Sequence, residues 1–187
     1  MLGPKNVLIS AALFVAMTSG ARADAPFQIA SPAFADGDVL PSTFGFDGVG
    51  IDKTQCGGGN QSPPLAWTNV PAGTRSFALV VFDVDGFNGL GVAHWVAYNF
   101  GPAATAVAQG EAASANPAFT NGIQQYGQAG FRGFCPPKGQ SAHHYVMTVY
   151  ALDVPPALAA GMTRAQLLAA IDRHILRASS IVGRYSR

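Results

Sequence analysis

The sequence predicts a mainly β fold (α+β): buried central strands joined by many turns, with one helix near the C-terminus. Three observations predict it. Gly and Pro supply 22 and 13 of the 187 residues, a turn-rich composition. Three runs of apolar, β-branched and aromatic residues have strand length. One segment carries a helix-start signature followed by a helical stripe. With 49% apolar and 11% charged residues, the chain has much to bury and too little charge to stay disordered.

The elements follow in order. Met1 to Asn6 carries one charge, Lys5, and leads into an apolar run, Val7 to Met17, broken only by Ser10. Ala21-Arg22-Ala23 then puts small residues where a signal peptidase cuts, so residues 1–23 are predicted to be a signal peptide removed before Asp24. The run is too short for a stable anchor, and no other stretch would span a bilayer. The domain is therefore 24–187, exported to a periplasm or secreted. Losing Lys5 and Arg22 takes the formal charge from +1 to −1, which offers no cationic field to nucleic acid. Outside the cytoplasm Cys56 and Cys135 can pair as a lasting disulfide.

Phe27 to Ala30 reads as a short strand and Val39 to Phe46 as another. Cys56 to Pro64, CGGGNQSPP, is dense in turn formers and reads as a loop. Leu65-Ala66-Trp67 is extended, and Pro71 to Thr74 turns. Phe77 to Asp83, FALVVFD, is apolar until its last residue, the pattern of a strand covered on both faces. Val92 to Asn99 and His144 to Leu152 are two more such strands. Thr163-Arg164-Ala165-Gln166 fits a capping box, and Leu167, Leu168, Ile171 and Ile175 continue as a stripe, predicting a helix that ends near Ala178. His174 follows that stripe and reads as a core histidine. Ser180 to Tyr185 reads as a final strand.

Alternate residues on a strand share a face. Asp83 thus ends the row of Phe77, Leu79 and Val81. His94 is level with Val92, Val96 and Tyr98, and His143 and Tyr145 with Met147 and Val149. Converging, these groups would make an anion pocket in which the carboxylate orients an imidazole and keeps it protonated. The alternative is a metal site of His94, His143 and Asp83, serving a metal-assisted hydrolase of phospho-compounds. No HExxH or short His pair supports it, and His143 and His144, adjacent on a strand, face opposite ways. Ser62 lacks a GxSxG setting, and Gly57-Gly58-Gly59 lacks the GK[ST] ending of a phosphate loop. Gly86-x-x-Gly89-x-Gly91 leads into a strand rather than a helix and fails as a dinucleotide site. Trp67 and Trp95 read as core.

Asp83-x-Asp85, His94-Trp95-Val96 with Asn99, Cys135-Pro136-Pro137-x-Gly139 and His143-His144-Tyr145 resemble, in that order, the phosphatidylethanolamine-binding protein family in its bacterial Raf kinase inhibitor-like branch. Gly59-Asn60-x-Ser62-Pro63-Pro64-Leu65-x-Trp67 and Gly183-Arg184-Tyr185 help extend the resemblance from about Ser31 to Arg187. The resemblance implies an antiparallel β-sandwich of a large and a small sheet with one or two peripheral helices. It implies a small pocket at one end of the large sheet for phosphate, a phospho-headgroup or a carboxylate. Asp83, His94, His143 and Tyr145 match the pocket positions; Gly133, Cys135, Pro136 and Pro137 match its rim. Binding or regulation without chemistry, cofactor or metal is what it implies, and the sequence names no protein partner. The family usually has Asp-Pro-Asp-x-Pro, where this chain has Val84 and Phe87 in place of both prolines. The rim after Asp85 is therefore expected to be less rigid, with Phe87 partly filling the mouth. Phe134 stands where bacterial relatives often place a proline.

Overall fold

The computed structural model describes residues 25–114 and 118–187. The predicted signal peptide and its cleavage point before Asp24 lie outside the described residues. Eight strands are found among the latter: β1 (Gln28–Ala30), β2 (Leu65–Thr68), β3 (Ser76–Asp83), β4 (Val92–Phe100), β5 (Ala106–Val107), β6 (Thr120–Asn121), β7 (His143–Leu152) and β8 (Ile175–Tyr185). A tight turn, α1 (Gly86–Gly89), with left-handed backbone at Phe87 and Asn88, and one regular α-helix, α2 (Arg164–Ile171), accompany them. The strands form two antiparallel sheets, a large one ordered β6-β4-β3-β7-β8 and a small one ordered β1-β2-β5.

Strand β3 shows why its sequence is apolar on both faces. Phe77, Leu79 and Val81 pack into the layer between the sheets, with Ile29, Leu65 and Trp67 from the small sheet and Met147 and Val149 from β7. Ala78 and Val80 turn the other way, toward Leu167 and Ile171 of α2 and Val96 and Tyr98 of β4. One face is covered by a sheet and the other by a helix, so alternation is lost from the strand. Trp67 and Trp95 are both fully buried.

The capping box of α2 is formed: Thr163 Oγ1 accepts from the Gln166 amide and Gln166 Oε1 accepts from the Thr163 amide. The helix is shorter than the stripe predicts. It stops at Ile171, and residues 175–185 pair with the whole of β7, from Leu152↔Ile175 to His143↔Tyr185. Without that partner β7 would present an open edge, so the ladder takes residues that the helical period also suited. Ile175 is accordingly exposed. His174 is not a core residue; it is half-exposed and its Nδ1 pairs with Asp153 Oδ1 at 2.9 Å.

Val39 to Phe46 does not form a strand. Pro41 has no amide to give a ladder, and a 3₁₀ turn over Ser42–Phe44 follows it, closed by Phe44 N–H to Pro41 O and Gly45 N–H to Ser42 O. The turn drives Phe44 fully into the core. Gly45 then bridges to Phe134 as an isolated pair.

Cys56 and Cys135 are joined by a disulfide with Cα atoms 5.6 Å apart, tying the glycine-rich loop to the segment 133–137. In the chain-entropy picture a loop of this size is worth about 4–5 kcal/mol. The non-reduced, denatured protein should therefore show no titratable thiol. Reduction should lower the urea unfolding free energy by about that amount; an unchanged midpoint after reduction would show that the bridge adds nothing.

Candidate functional site

The last residue of β3 is Asp83, and it faces Tyr145 of β7 on one side and Val92 of β4 on the other. His143 lies two residues before Tyr145, on the same face, whereas His144 is exposed on the opposite one. His94 reaches the same place by a different route. Between β3 and β4 the register runs Val81↔Trp95 and then Phe82↔Ala93, so His94 is an extra residue in a β-bulge. Simple alternation would group it with Val96 and Tyr98, which face α2. The bulge re-aims its side chain. The ring instead meets Phe134 and Tyr145 edge-on, each with centroids 5.3 Å away.

A cavity of about 210 Å³ opens here, at the end of the large sheet. All eight sequence-matched residues line it: Asp83, His94, His143 and Tyr145 within, Gly133, Cys135, Pro136 and Pro137 along one side. Asp83 is only 3% exposed. Its Oδ1 accepts from the amides of Asp85 (2.9 Å) and Gly86 (3.0 Å), and its Oδ2 from His143 Nδ1 at 2.8 Å. The carboxylate is thereby fully engaged, and it turns His143 so that Nε2 faces outward, 3.2 Å from Gln140 Oε1. Gly86 has to be glycine, because a Cβ there would sit 2.6 Å from Val92 Cγ2 and 3.1 Å from Asp83 Oδ2.

The two histidines differ. His94 has no carboxylate in hydrogen-bond contact; its Nδ1–H donates to the Arg132 carbonyl at 2.7 Å. Burial lowers its pKa from 6.5 to about 4, and the Arg132 guanidinium adds to that, against the opposing pull of Asp83 and the carbonyls of Arg132 and Gly133. It is a neutral imidazole. The Tyr145 hydroxyl is buried with no hydrogen-bond partner among the described residues. Burial holds its phenol protonated far above the ordinary range.

The rim is fixed by contacts distant in sequence. Gly133 N–H donates to Asn60 Oδ1 at 2.7 Å, and a Cβ on Gly133 would lie 2.4 Å from Phe46 N. Asp52 accepts from the Lys138 amide and pairs with Arg187, which also donates to Pro136 O. The Lys138 amide leads the hydrogen bonds that hold Asp52 well below the usual carboxylate range. Phe87, 41% exposed, lines the mouth and meets Tyr126 edge-on at 6.5 Å. Its φ is +48°, a value that a proline ring fixed near −65° could not adopt. The rim therefore takes a conformation that a proline at this position would forbid.

Sequence reasoning gave no site role to Arg132, Gln140 or Tyr126, which also line the cavity. Arg132 is held between the rings of Phe46 (3.7 Å) and Tyr126 (4.2 Å). No local signal marks them, since they meet the strand residues only through the fold. Among the described residues, no group of three His, Cys, Asp or Glu side chains is disposed to hold a metal ion. Ser62 is buried, with Oγ accepting from the Ala112 amide. No helix among the described residues is long and apolar enough to cross a membrane.

A family model described as phosphatidylethanolamine-binding protein matches residues 30–186. YbhB of Escherichia coli is 37% identical over 164 residues, covering 85% of this chain and 99% of its own. LppC of Mycobacterium tuberculosis, which bears a lipoprotein name, is 36% identical over 168 residues, covering 90% of this chain and 76% of its own. The crystal structure of Escherichia coli YbcL, described as a new member of the mammalian PEBP family, superposes with a TM-score of 0.79 at 32% identity. It covers 87% of this chain and 99% of its own.

The state of His94 has a consequence for stability. The unfolded chain takes up a proton near the ordinary pKa of 6.5, while the folded chain refuses it until about 4. Stability from this residue is therefore full above the unfolded value and is lost as pH falls toward the folded one. Urea midpoints taken through this window should fall less steeply in His94→Phe than in the wild type. Parallel slopes would show that His94 titrates alike in the folded and unfolded chains.

Proposed function

This chain belongs to the phosphatidylethanolamine-binding protein family, and from that premise we propose that it is an exported binding protein whose cavity takes a small anion: phosphate, a phosphate ester or a carboxylate. The observation that carries this reading is the Tyr145 hydroxyl, buried against the cavity without a partner. An unpaired buried hydroxyl costs about 1–3 kcal/mol, and an anion oxygen would satisfy it. His143 adds a second donor. Asp83 holds Nδ1–H, and an anion displacing the exposed Gln140 amide would accept a hydrogen bond from Nε2–H.

The cavity, at about 210 Å³, is below the roughly 300–1,000 Å³ of drug-sized sites. It suits a headgroup-sized ligand rather than an acyl chain. Asp83 spends its oxygens on two amides and His143 instead of standing toward the cavity as a base, which favours binding over a chemical step. Export is supported by the apolar leader with its Ala21-Arg22-Ala23 ending, by the disulfide, and by the lipoprotein name of one relative.

Calorimetric titration with inorganic phosphate tests the pocket. Tyr145→Phe should weaken phosphate binding while leaving the unliganded protein as stable as the wild type or more so, because the orphaned hydroxyl is gone. His143→Ala should cost roughly ten- to a hundred-fold in affinity through loss of a charge-assisted hydrogen bond. Unchanged affinity in both folded variants would put the ligand elsewhere. For export, N-terminal sequencing of the mature form should begin Asp24-Ala25-Pro26; an intact Met1 form in the membrane would mean an anchor.

A further inference from the structure

The groups that line the cavity are not equivalent hydrogen-bond partners. Tyr145 offers a hydroxyl, which donates or accepts. His94 offers neither choice. Its Nδ1 stands 2.7 Å from a backbone carbonyl oxygen, which can only accept, so the ring proton sits on Nδ1. Its Nε2 has no hydrogen-bond partner among the described residues. His94 as a whole is 5% exposed, and it lines the cavity. A second proton, on Nε2, would have to be held in that apolar setting beside Phe134 and Tyr145.

The titratable groups that share the cavity with His94 are Asp83 and Asp85 at the end of β3, Arg132 and Tyr126 on the rim, and His143 and Tyr145 on β7. Asp83 is committed to His143 and two amides, and Asp85 to His144. Arg132 brings a positive charge near the ring, which opposes a second one there. Burial and Arg132 together keep the ring neutral down to about pH 4. His94 thus presents a lone pair to the ligand.

We propose that the cavity selects an oxyanion that still carries a proton, a phosphate or phosphomonoester in its monoanionic form, whose P–OH donates to His94 Nε2 while another oxygen accepts from Tyr145. The proposal rests on the anion-binding reading above and narrows it. A fully ionised anion of the same shape would set an oxygen lone pair against the Nε2 lone pair, leaving that acceptor unpaired and cut off from water by the ligand. A site built around such an acceptor rejects an analogue that lacks the donor.

The test uses two ligands matched in shape. Near pH 5, methyl phosphate is mostly a monoanion bearing one P–OH, since the second ionisation of a phosphate monoester falls near pH 6. Methyl sulfate is also a monoanion and has no proton to give. Calorimetric titration of the full mature protein should find methyl phosphate tighter by roughly ten- to a hundred-fold. The ratio of the two affinities should shrink between about pH 5 and 7.5 as methyl phosphate ionises. Titration of the protein's own groups acts on both ligands and largely cancels in the ratio. His94→Phe should bring methyl phosphate down to the level of methyl sulfate; the wild-type ratio stands as the test if that variant does not fold. Nitrogen NMR of the unliganded protein should show His94 Nε2 as an unprotonated ring nitrogen at pH 5. Equal affinities at pH 5, a ratio that ignores pH, or a protonated Nε2 would overturn the proposal while leaving an anion pocket in place. Binding of neither ligand would overturn the anion-pocket reading, and this inference with it.

Discussion

A carboxylate buried at the end of a central strand must be paired, and the pairing of Asp83 organises the rest of the site. Removing one partner from a buried charge is strongly destabilising, so its surroundings are constrained as a set. Two amides just after β3 bend back to reach Oδ1, which sets the start of the rim loop. His143 reaches Oδ2 from the neighbouring strand, which sets the orientation of its ring. Glycine at 86 follows from the same demand, because no side chain fits between the carboxylate and Val92.

The opposite wall depends on backbone packing. Gly133 passes against the backbone of Gly45 and Phe46, and Gly58 lies against Gly45 from another loop. Three separate segments, one of them remote in sequence from the other two, are thereby stacked, and the Cys56–Cys135 bridge ties two of them covalently. Such close stacking holds the cavity wall in place by excluded volume. The mouth is different: Phe87 and Asn88 stand in the left-handed region in succession, at φ +48° and +58°. Strain of this kind persists where surrounding contacts impose it, and it clusters at binding sites.

One fold thus gives two histidines opposite characters. His143 sits beside a carboxylate and serves as a donor. His94, on a bulge, is buried against aromatic rings with a carbonyl at Nδ1, and is neutral. Here the pair would read both the charge and the protonation of an anion.

The strand runs FALVVFD, VAHWVAYN and HYVMTVYAL, the Thr163 capping box, the turn-rich CGGGNQSPP and the ordered family motifs were legible in the sequence, because periodicity, capping and turn chemistry are properties of neighbouring residues. The pairing of the two cysteines was legible from their number, given the export that the sequence predicts. The tertiary structure alone decided that α2 ends at Ile171, that Val39 to Phe46 turns instead of pairing, and that Arg132 and Gln140 stand at the cavity. It also decided the aim of His94. Strand alternation puts that ring with Val96 and Tyr98, and only the register of β4 against β3 shows the extra residue that turns it to the other face. Register, edge pairing and burial are set by partners many residues away, so no local pattern records them.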